Sequence, residues 1–175
     1  MPQGRQSIVV SDFHKYTEGF HPPLSHIIFV TGAVDDRLET SCGFLLLNFD
    51  SILLLQYPQG HWSFPKGHIE KGDSDHRHTA LRELSEETGI THVSIDHGWK
   101  KRTEYTFSRK GRKIPKQVFW YLAETNQLEV TLSHEHTNFL WLELNQAEHQ
   151  VTFKQEKELV ISARDYLAKA GKLVA

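Results

Sequence analysis

Among the 175 residues there is a single cysteine, Cys42. One thiol excludes an internal disulfide framework and a cysteine-based zinc site. Long apolar runs are lacking as well. The longest, Phe44 to Leu47 together with Ile52 to Leu55, is interrupted by Asn48, Asp50 and Ser51, whereas a membrane span needs roughly 18–20 apolar residues. The first residues, MPQGRQSIVVSD, contain no secretory apolar core, so a cytoplasmic location without a membrane partner is expected. No sign of charge dominates: a formal net charge of −2 predicts no general attraction to polyanions. Internal repeats and low-complexity linkers are missing too, and the oligomeric state leaves no mark.

What is present is the composition of a soluble globular domain, 38% hydrophobic and 24% charged. Residues 1–23 are polar, end in His21-Pro22-Pro23, and read as an extension; residues 24–175 read as one domain. Leu24 to Ala33 is β-rich. Ser41 to Phe49 and Ser51 to Tyr57, joined around Asn48-Phe49-Asp50-Ser51, predict a hairpin buried on both faces. A Gly/Pro-punctuated stretch of loop and short strand follows, and then a helix over about Ser74 to Thr88, with Gly89 placed to cap it. Further strands are expected at His92–Trp99, Arg102–Phe107, Gln117–Ala123, Leu128–Leu132 and Phe139–Leu142, and a closing helix from Lys154 to Ala170. The order predicts an α/β (α+β) fold, a mixed β-sheet sandwiched between helices.

Two charge patterns stand out. Between Lys100 and Lys116 lie eight basic residues and one acid, Glu104, which suits either a phosphate-attracting surface or a solvated hairpin tip. On the first helix, Glu83, Glu86 and Glu87 fall within one arc opposite Leu81 and Leu84. Like charges so spaced repel by a few tenths of a kcal/mol per pair, and with Arg82 lying to the side no basic residue one turn away relieves them. A divalent cation would reverse that sign, since hard ions seek carboxylate oxygens; the alternative is three solvated residues of a good helix former. The turn before the helix, Pro65-Lys66-Gly67-His68-Ile69-Glu70-Lys71-Gly72, offers a lysine and backbone free of Cβ atoms, suited to the close approach of a phosphate chain.

That turn with Arg82-Glu83-Leu84-Ser85-Glu86-Glu87-Thr88-Gly89-Ile90 resembles the Nudix box: a Gly, five residues, Glu, seven residues, then Arg-Glu-aliphatic-any-Glu-Glu-any-Gly-aliphatic. All seven specified positions of the second half match. In the first half the lone glutamate falls on Asp73, with eight residues instead of seven before Arg82, a one-residue insertion. Asp73 is then an N-cap, a substitute for the glutamate, or neither. The resemblance implies the Nudix fold and hydrolysis of a nucleoside diphosphate linked to another moiety.

Outside the box, His61–Gly72, Lys116–Glu124, Leu132–Leu144 and the tail around Phe153-Lys154 resemble the asymmetric bis(5′-nucleosyl)-tetraphosphatases, over roughly residues 26–170. That likeness implies Glu83 and Glu87 as metal ligands, Glu86 as a ligand or the base that activates water, Glu135 as an extra ligand, and Gly67 as part of the metal site. It implies Lys66 and Lys116 on the phosphate chain, His61 at the mouth of the phosphate site, and Phe139 stacking on the base, with Tyr105 as a second ring. Arg82 is expected to orient the glutamates or loop carbonyls. The residues alone leave Phe139 open to a core role, His61 to an ordinary loop role, and Glu135 to a solvated strand end. The pairs His76/His78 and His134/His136 raise a zinc site, but there is no HExxH run and the acidic cluster favours Mg²⁺ or Mn²⁺.

The resemblance therefore implies metal-assisted hydrolysis of a phosphoanhydride, with diadenosine tetraphosphate giving ATP and AMP. Two rival readings stand beside it. Pyrophosphate could be removed from the 5′ end of an RNA, which the basic segment would suit, or the protein could be a non-catalytic nucleotide sensor.

Overall fold

The apolar run that opens the domain alternates in two directions at once. In the computed structural model, which describes residues 38–172, it forms strand β1 (Glu39–Asn48). Phe44 and Leu46 point to one face and Leu45 and Leu47 to the other, because successive side chains of a strand take opposite sides. β2 (Ser51–Gln56) returns through Phe49 and Asp50. Its Leu53 and Leu55 join the first face while Ile52 and Leu54 join the second. All of these side chains are buried, so the hairpin is covered on both sides as expected. Each such leucine or isoleucine contributes about 1.5–3 kcal/mol of apolar burial. The extension over 1–23 and the β-rich stretch Leu24 to Ala33 lie outside the described residues.

Around this pair the described chain builds β3 (Trp62–Ser63), β4 (Lys66–His68), helix α1 (His76–Thr88), β5 (Ser94–Arg109), β6 (Arg112–Glu124), β7 (Asn138–Glu143), α2 (Leu144–Gln150) and α3 (Lys154–Lys169). The sheet runs β3-β2-β1-β6-β5, with β4 on β1 and β7 on β2. β1 and β6 are parallel, and the other pairs are antiparallel. α1 covers the face of Phe44, Leu46, Leu53 and Leu55 with Ala80 and Leu84. α2 and α3 cover the opposite face with Leu144, Ala147, Leu159, Val160, Ala163 and Leu167. This is the mixed sheet between helices that the element order predicts.

Three expectations change. The strands foreseen at His92–Trp99 and Arg102–Phe107 are one strand, β5, whose register against β6 shifts between Asp96 and Lys100. It turns into β6 at Lys110-Gly111, both with positive φ (51° and 75°), the geometry of a two-residue hairpin. Leu128–Leu132 is not a strand. Val130 and Leu132 do turn inward, but the backbone here bonds the end of α1: Thr131 N–H donates to Thr88 O (2.8 Å) and Ser133 N–H to Glu87 O (3.1 Å). The alternation reflects a segment laid across a helix end. Finally, α2 was not anticipated; at seven residues it is too short for its period to show.

Candidate active site

α1 begins at Asp75, whose carboxylate caps the N–H groups of Arg77 (2.8 Å) and His78 (2.9 Å), and stops at Gly89, φ 71°. Asp73 is thus not the cap. Its side chain, 2% exposed, accepts from Arg82 Nε (3.1 Å) and Nη2 (3.0 Å), from Thr79 Oγ1 (2.9 Å) and from Glu70 N–H (2.9 Å). The Arg82 guanidinium and these donors hold its carboxyl well below the usual carboxylate range. Asp73 is therefore the anchor of Arg82, and the extra residue after it is absorbed before the helix starts.

Arg82, placed to the side of the acidic arc, reaches into it. Besides Asp73 and the His68 carbonyl (2.8 Å), its Nη1 reaches Glu83 and Glu86, 3.0 Å from each. The contact with Glu86 is an i,i+4 pair, so a counter-charge lies one turn away after all. Arg82 thus touches two glutamates and a loop carbonyl, the groups it was expected to orient.

The three glutamates are not equivalent. Glu86 is 58% exposed, Glu83 14% and Glu87 5%. Glu87 turns inward, where its Oε2 accepts from the backbone N–H of Lys66 at 2.9 Å. Burial pushes its carboxyl up to about 8, with the charges of Glu83 and Glu135 adding to the shift and Lys66 opposing it. Glu83 is likewise raised, first by burial. Glu135, exposed on the segment before β7, is close enough for its charge to act on both. The Glu83 carboxylate rests on Gly67, where a Cβ would coincide with it. What the missing Cβ admits is thus a glutamate. Among the described residues, no three His, Cys, Asp or Glu side chains stand at metal-ligand spacing, which includes the histidine pairs. The donor set is nonetheless all carboxylate oxygen and short of positive charge, which suits a hard divalent cation.

Lys66 joins this acidic edge to a cleft. Its Nζ donates to the Tyr57 hydroxyl (2.5 Å) and lies 4.3 Å from the centre of that ring. Tyr57 stacks on His61 (4.5 Å, 11°) and meets His136 edge-on (4.5 Å). His136 is fully buried, its Nε2 3.5 Å from Glu87 Oε1, and burial pushes it down to about 4, so it is neutral. The cleft, about 580 Å³, is lined by His61, Ser63, Lys66, Tyr105, Phe107, Lys116, Trp120, Phe153 and Glu156 among others. A more open depression of about 740 Å³ near Thr91, Glu124 and Gln127 is bordered by none of these groups. Lys116 stands beside His68, Nζ to Nε2 3.2 Å. Burial and the neighbouring Lys66 charge push its amine down to about 8.

The structure accordingly brings Lys66, His61, Lys116 and Tyr105 to one cleft, beside Glu83, Glu87 and Gly67. It does not bring Phe139 there. β7 pairs Phe139 with Leu55, and the partly buried ring packs against the core on the α1 side of the sheet. Phe139→Ala is therefore expected to cost about 2–3 kcal/mol of stability, seen as a lower melting temperature, with KM little changed. The basic segment is the β5–β6 hairpin, exposed at its tip, and Arg109 there pairs with Glu39. Sequence reasoning missed Tyr57, Phe107 and Glu156. For Glu156 a signal existed: with Leu159, Val160, Ala163 and Leu167 it shares the inward stripe of α3.

Known proteins resemble the chain in sequence and in fold. Residues 37–165 match the family described as NUDIX domain. A bis(5′-nucleosyl)-tetraphosphatase [asymmetrical] of Sus scrofa is 40% identical over 121 residues, 66% of this chain and 79% of that protein. The Caenorhabditis elegans protein of the same name is 41% identical over 98 residues, 54% of this chain and 69% of its own. A crystal structure of a C. elegans Ap4A hydrolase binary complex superposes with TM-score 0.67 at 32% identity, covering 75% of this chain and 99% of that one.

Proposed function

The chain belongs to the NUDIX domain family, and from that premise we propose that it hydrolyses dinucleoside polyphosphates, splitting diadenosine tetraphosphate into ATP and AMP. The reading is carried by one observation: Lys66 holds Glu87 of the acidic helix by its backbone and faces the aromatic cleft with its ammonium. A base in the cleft thus places its phosphates beside the carboxylates. The names and identities of the relatives support the same substrate.

Glu83, Glu86, Glu87 and Glu135, with Gly67, are the groups that would hold divalent cations, Mg²⁺ or Mn²⁺. Bound there, such ions would neutralise the acids and the phosphate chain and acidify a water. The geometry supports the following contributions by the protein itself. Lys66 and Lys116 carry the positive charge that attracts the phosphate chain and offsets charge gathering on the leaving phosphate. Two neighbouring ring pairs that line the cleft, Tyr105 with Phe107 and His61 with Phe153, offer π-faces to a base. Glu86 is the helix carboxylate open to solvent, and it takes the proton from the attacking water. Arg82, held by Asp73, sets the glutamates without touching substrate.

The test is turnover of diadenosine tetraphosphate against a short triphosphorylated RNA, with Mg²⁺, at two salt concentrations, the products identified by mass. ATP and AMP are expected. An RNA preferred by orders of magnitude, falling steeply with salt, would make the protein an RNA 5′-pyrophosphohydrolase, and binding without turnover a nucleotide sensor.

Lys116 adds a pH signature. A lysine held near 8 is charged below that pH and loses its charge above it. kcat/KM is therefore expected to fall as pH rises through about 8 in the free enzyme, mainly through KM. Lys116→Arg, whose guanidinium does not titrate there, should flatten that limb. An unchanged limb in the variant would remove Lys116 from the phosphate site.

A further inference from the structure

One acid beside the cleft has three basic side chains around it and no part in the scheme above. Glu39 opens β1, and its register partner on β6 is Lys116. Partners in register point to the same side of a sheet, so the two share a face with Tyr105, which β5 sets opposite Lys116. The Glu39 side chain is 19% exposed. Its Oε1 accepts from Arg109 of the β5–β6 hairpin, and its Oε2 lies 3.1 Å from His68 Nε2. The same Nε2 is 3.2 Å from Lys116 Nζ. Burial works against the charge on Glu39, but His68 and Arg109 outweigh it and hold the carboxyl below its usual range, so it is ionised.

One ring nitrogen cannot serve both neighbours, because it either carries a hydrogen or accepts one. An ionised carboxylate only accepts, so Glu39 selects the form of His68 with hydrogen on Nε2 and takes it. His68 then cannot accept from Lys116, whose hydrogens stay free for a phosphate oxygen. We propose that Glu39 is a positioning residue for the phosphate chain: through His68, and in opposition to Arg109, it keeps Lys116 available at the cleft. This rests on the reading above that phosphate comes to Lys116, and deepens it. The charges that act on Lys116 come from several elements. Besides burial, Lys66 of β4 and Arg109 of β5 disfavour its charged form, while Glu39 of β1 and Glu83 of α1 favour it. Tyr105, His61 and Glu156 line the same cleft, and Arg112 lies further along the same face of β6. Removing the Glu39 charge must therefore lower the pH at which Lys116 loses its proton, and removing Arg109 must raise it.

The test reads Lys116 directly. Its side-chain carbons are followed by NMR against pH, with Lys116→Arg supplying the assignment. In Glu39→Gln the midpoint should fall by about half a pH unit or more, and in Arg109→Gln it should rise. Methylene diphosphonate, a phosphate pair that cannot be cleaved, reports on the site by calorimetry with Mg²⁺. The ratio of its Kd in Glu39→Gln to that in wild type should grow about two- to threefold between pH of about 6.5 and about 8.5. In a Lys116→Arg background that growth should vanish. A midpoint that Glu39→Gln leaves in place would overturn the proposal. So would a ratio that is the same at both pH values, the mark of a purely structural role, or a wild type that does not bind the diphosphonate. Should Glu39→Gln fail to fold, the Arg109→Gln midpoint decides from the other side. None of these readouts needs turnover. Moved midpoints in a protein that leaves diadenosine tetraphosphate intact would end the hydrolase reading and keep the positioning role. Cleavage with unmoved midpoints would do the reverse.

Discussion

Replacing Glu87 by glutamine is expected to lower kcat on diadenosine tetraphosphate by at least about a hundredfold, some 2.7 kcal/mol of barrier, with the fold intact. The two side chains have the same size, and the amide oxygen can still accept from the Lys66 N–H, so the junction between α1 and β4 survives. What vanishes is a carboxyl that can ionise against a divalent cation, which an amide cannot do. Because a buried carboxylate is costly to desolvate, the melting temperature should hold or rise. The pair of measurements, steady-state kinetics and thermal unfolding, separates a group kept for chemistry from one kept for stability. A variant with near-normal kcat would contradict the assignment.

Gly67→Ala should be about as damaging, for a different reason. A Cβ at this position falls inside the Glu83 carboxylate. The displaced atoms are the end of a flexible side chain, so the fold gives way cheaply and the melting temperature should move by no more than about 3 °C. Glu83, however, must leave its place beside Glu87 and Arg82. Turnover is expected to fall on the order of a hundredfold, since a misplacement of about 1 Å in a catalytic constellation has that effect. A Gly67→Ala enzyme with normal turnover would show that the position of Glu83 is immaterial.

How much of this was legible beforehand depended on range. The β1–β2 hairpin, α1 with its Gly89 cap and α3 are written in local periods, which is why they were readable. The carboxylate cluster and the NUDIX family were readable because Arg82-Glu83-Leu84-Ser85-Glu86-Glu87-Thr88-Gly89-Ile90 is contiguous. Asp73 was ambiguous because counting along the chain does not tell how an inserted residue is accommodated. Spatially it remains under Arg82 while Asp75 takes the cap. The Leu128–Leu132 alternation misled because period two also arises where a chain crosses a helix end, its backbone bonds going to Thr88 and Glu87.

From the residues one could obtain acids on one helix edge with a lysine and glycine before them, and, by resemblance to the Nudix box, the class of chemistry. Those features rest on neighbours three or four residues apart, whose relation the backbone geometry settles by itself. Tertiary structure decided which acid is buried, that Arg82 bridges Glu83 and Glu86, that Phe139 packs against the core on the α1 side of the sheet, and that Glu156 lines the cleft. Each of these depends on desolvation and on contacts between segments far apart in the chain, and neither exists until the sheet and helices have closed on one another.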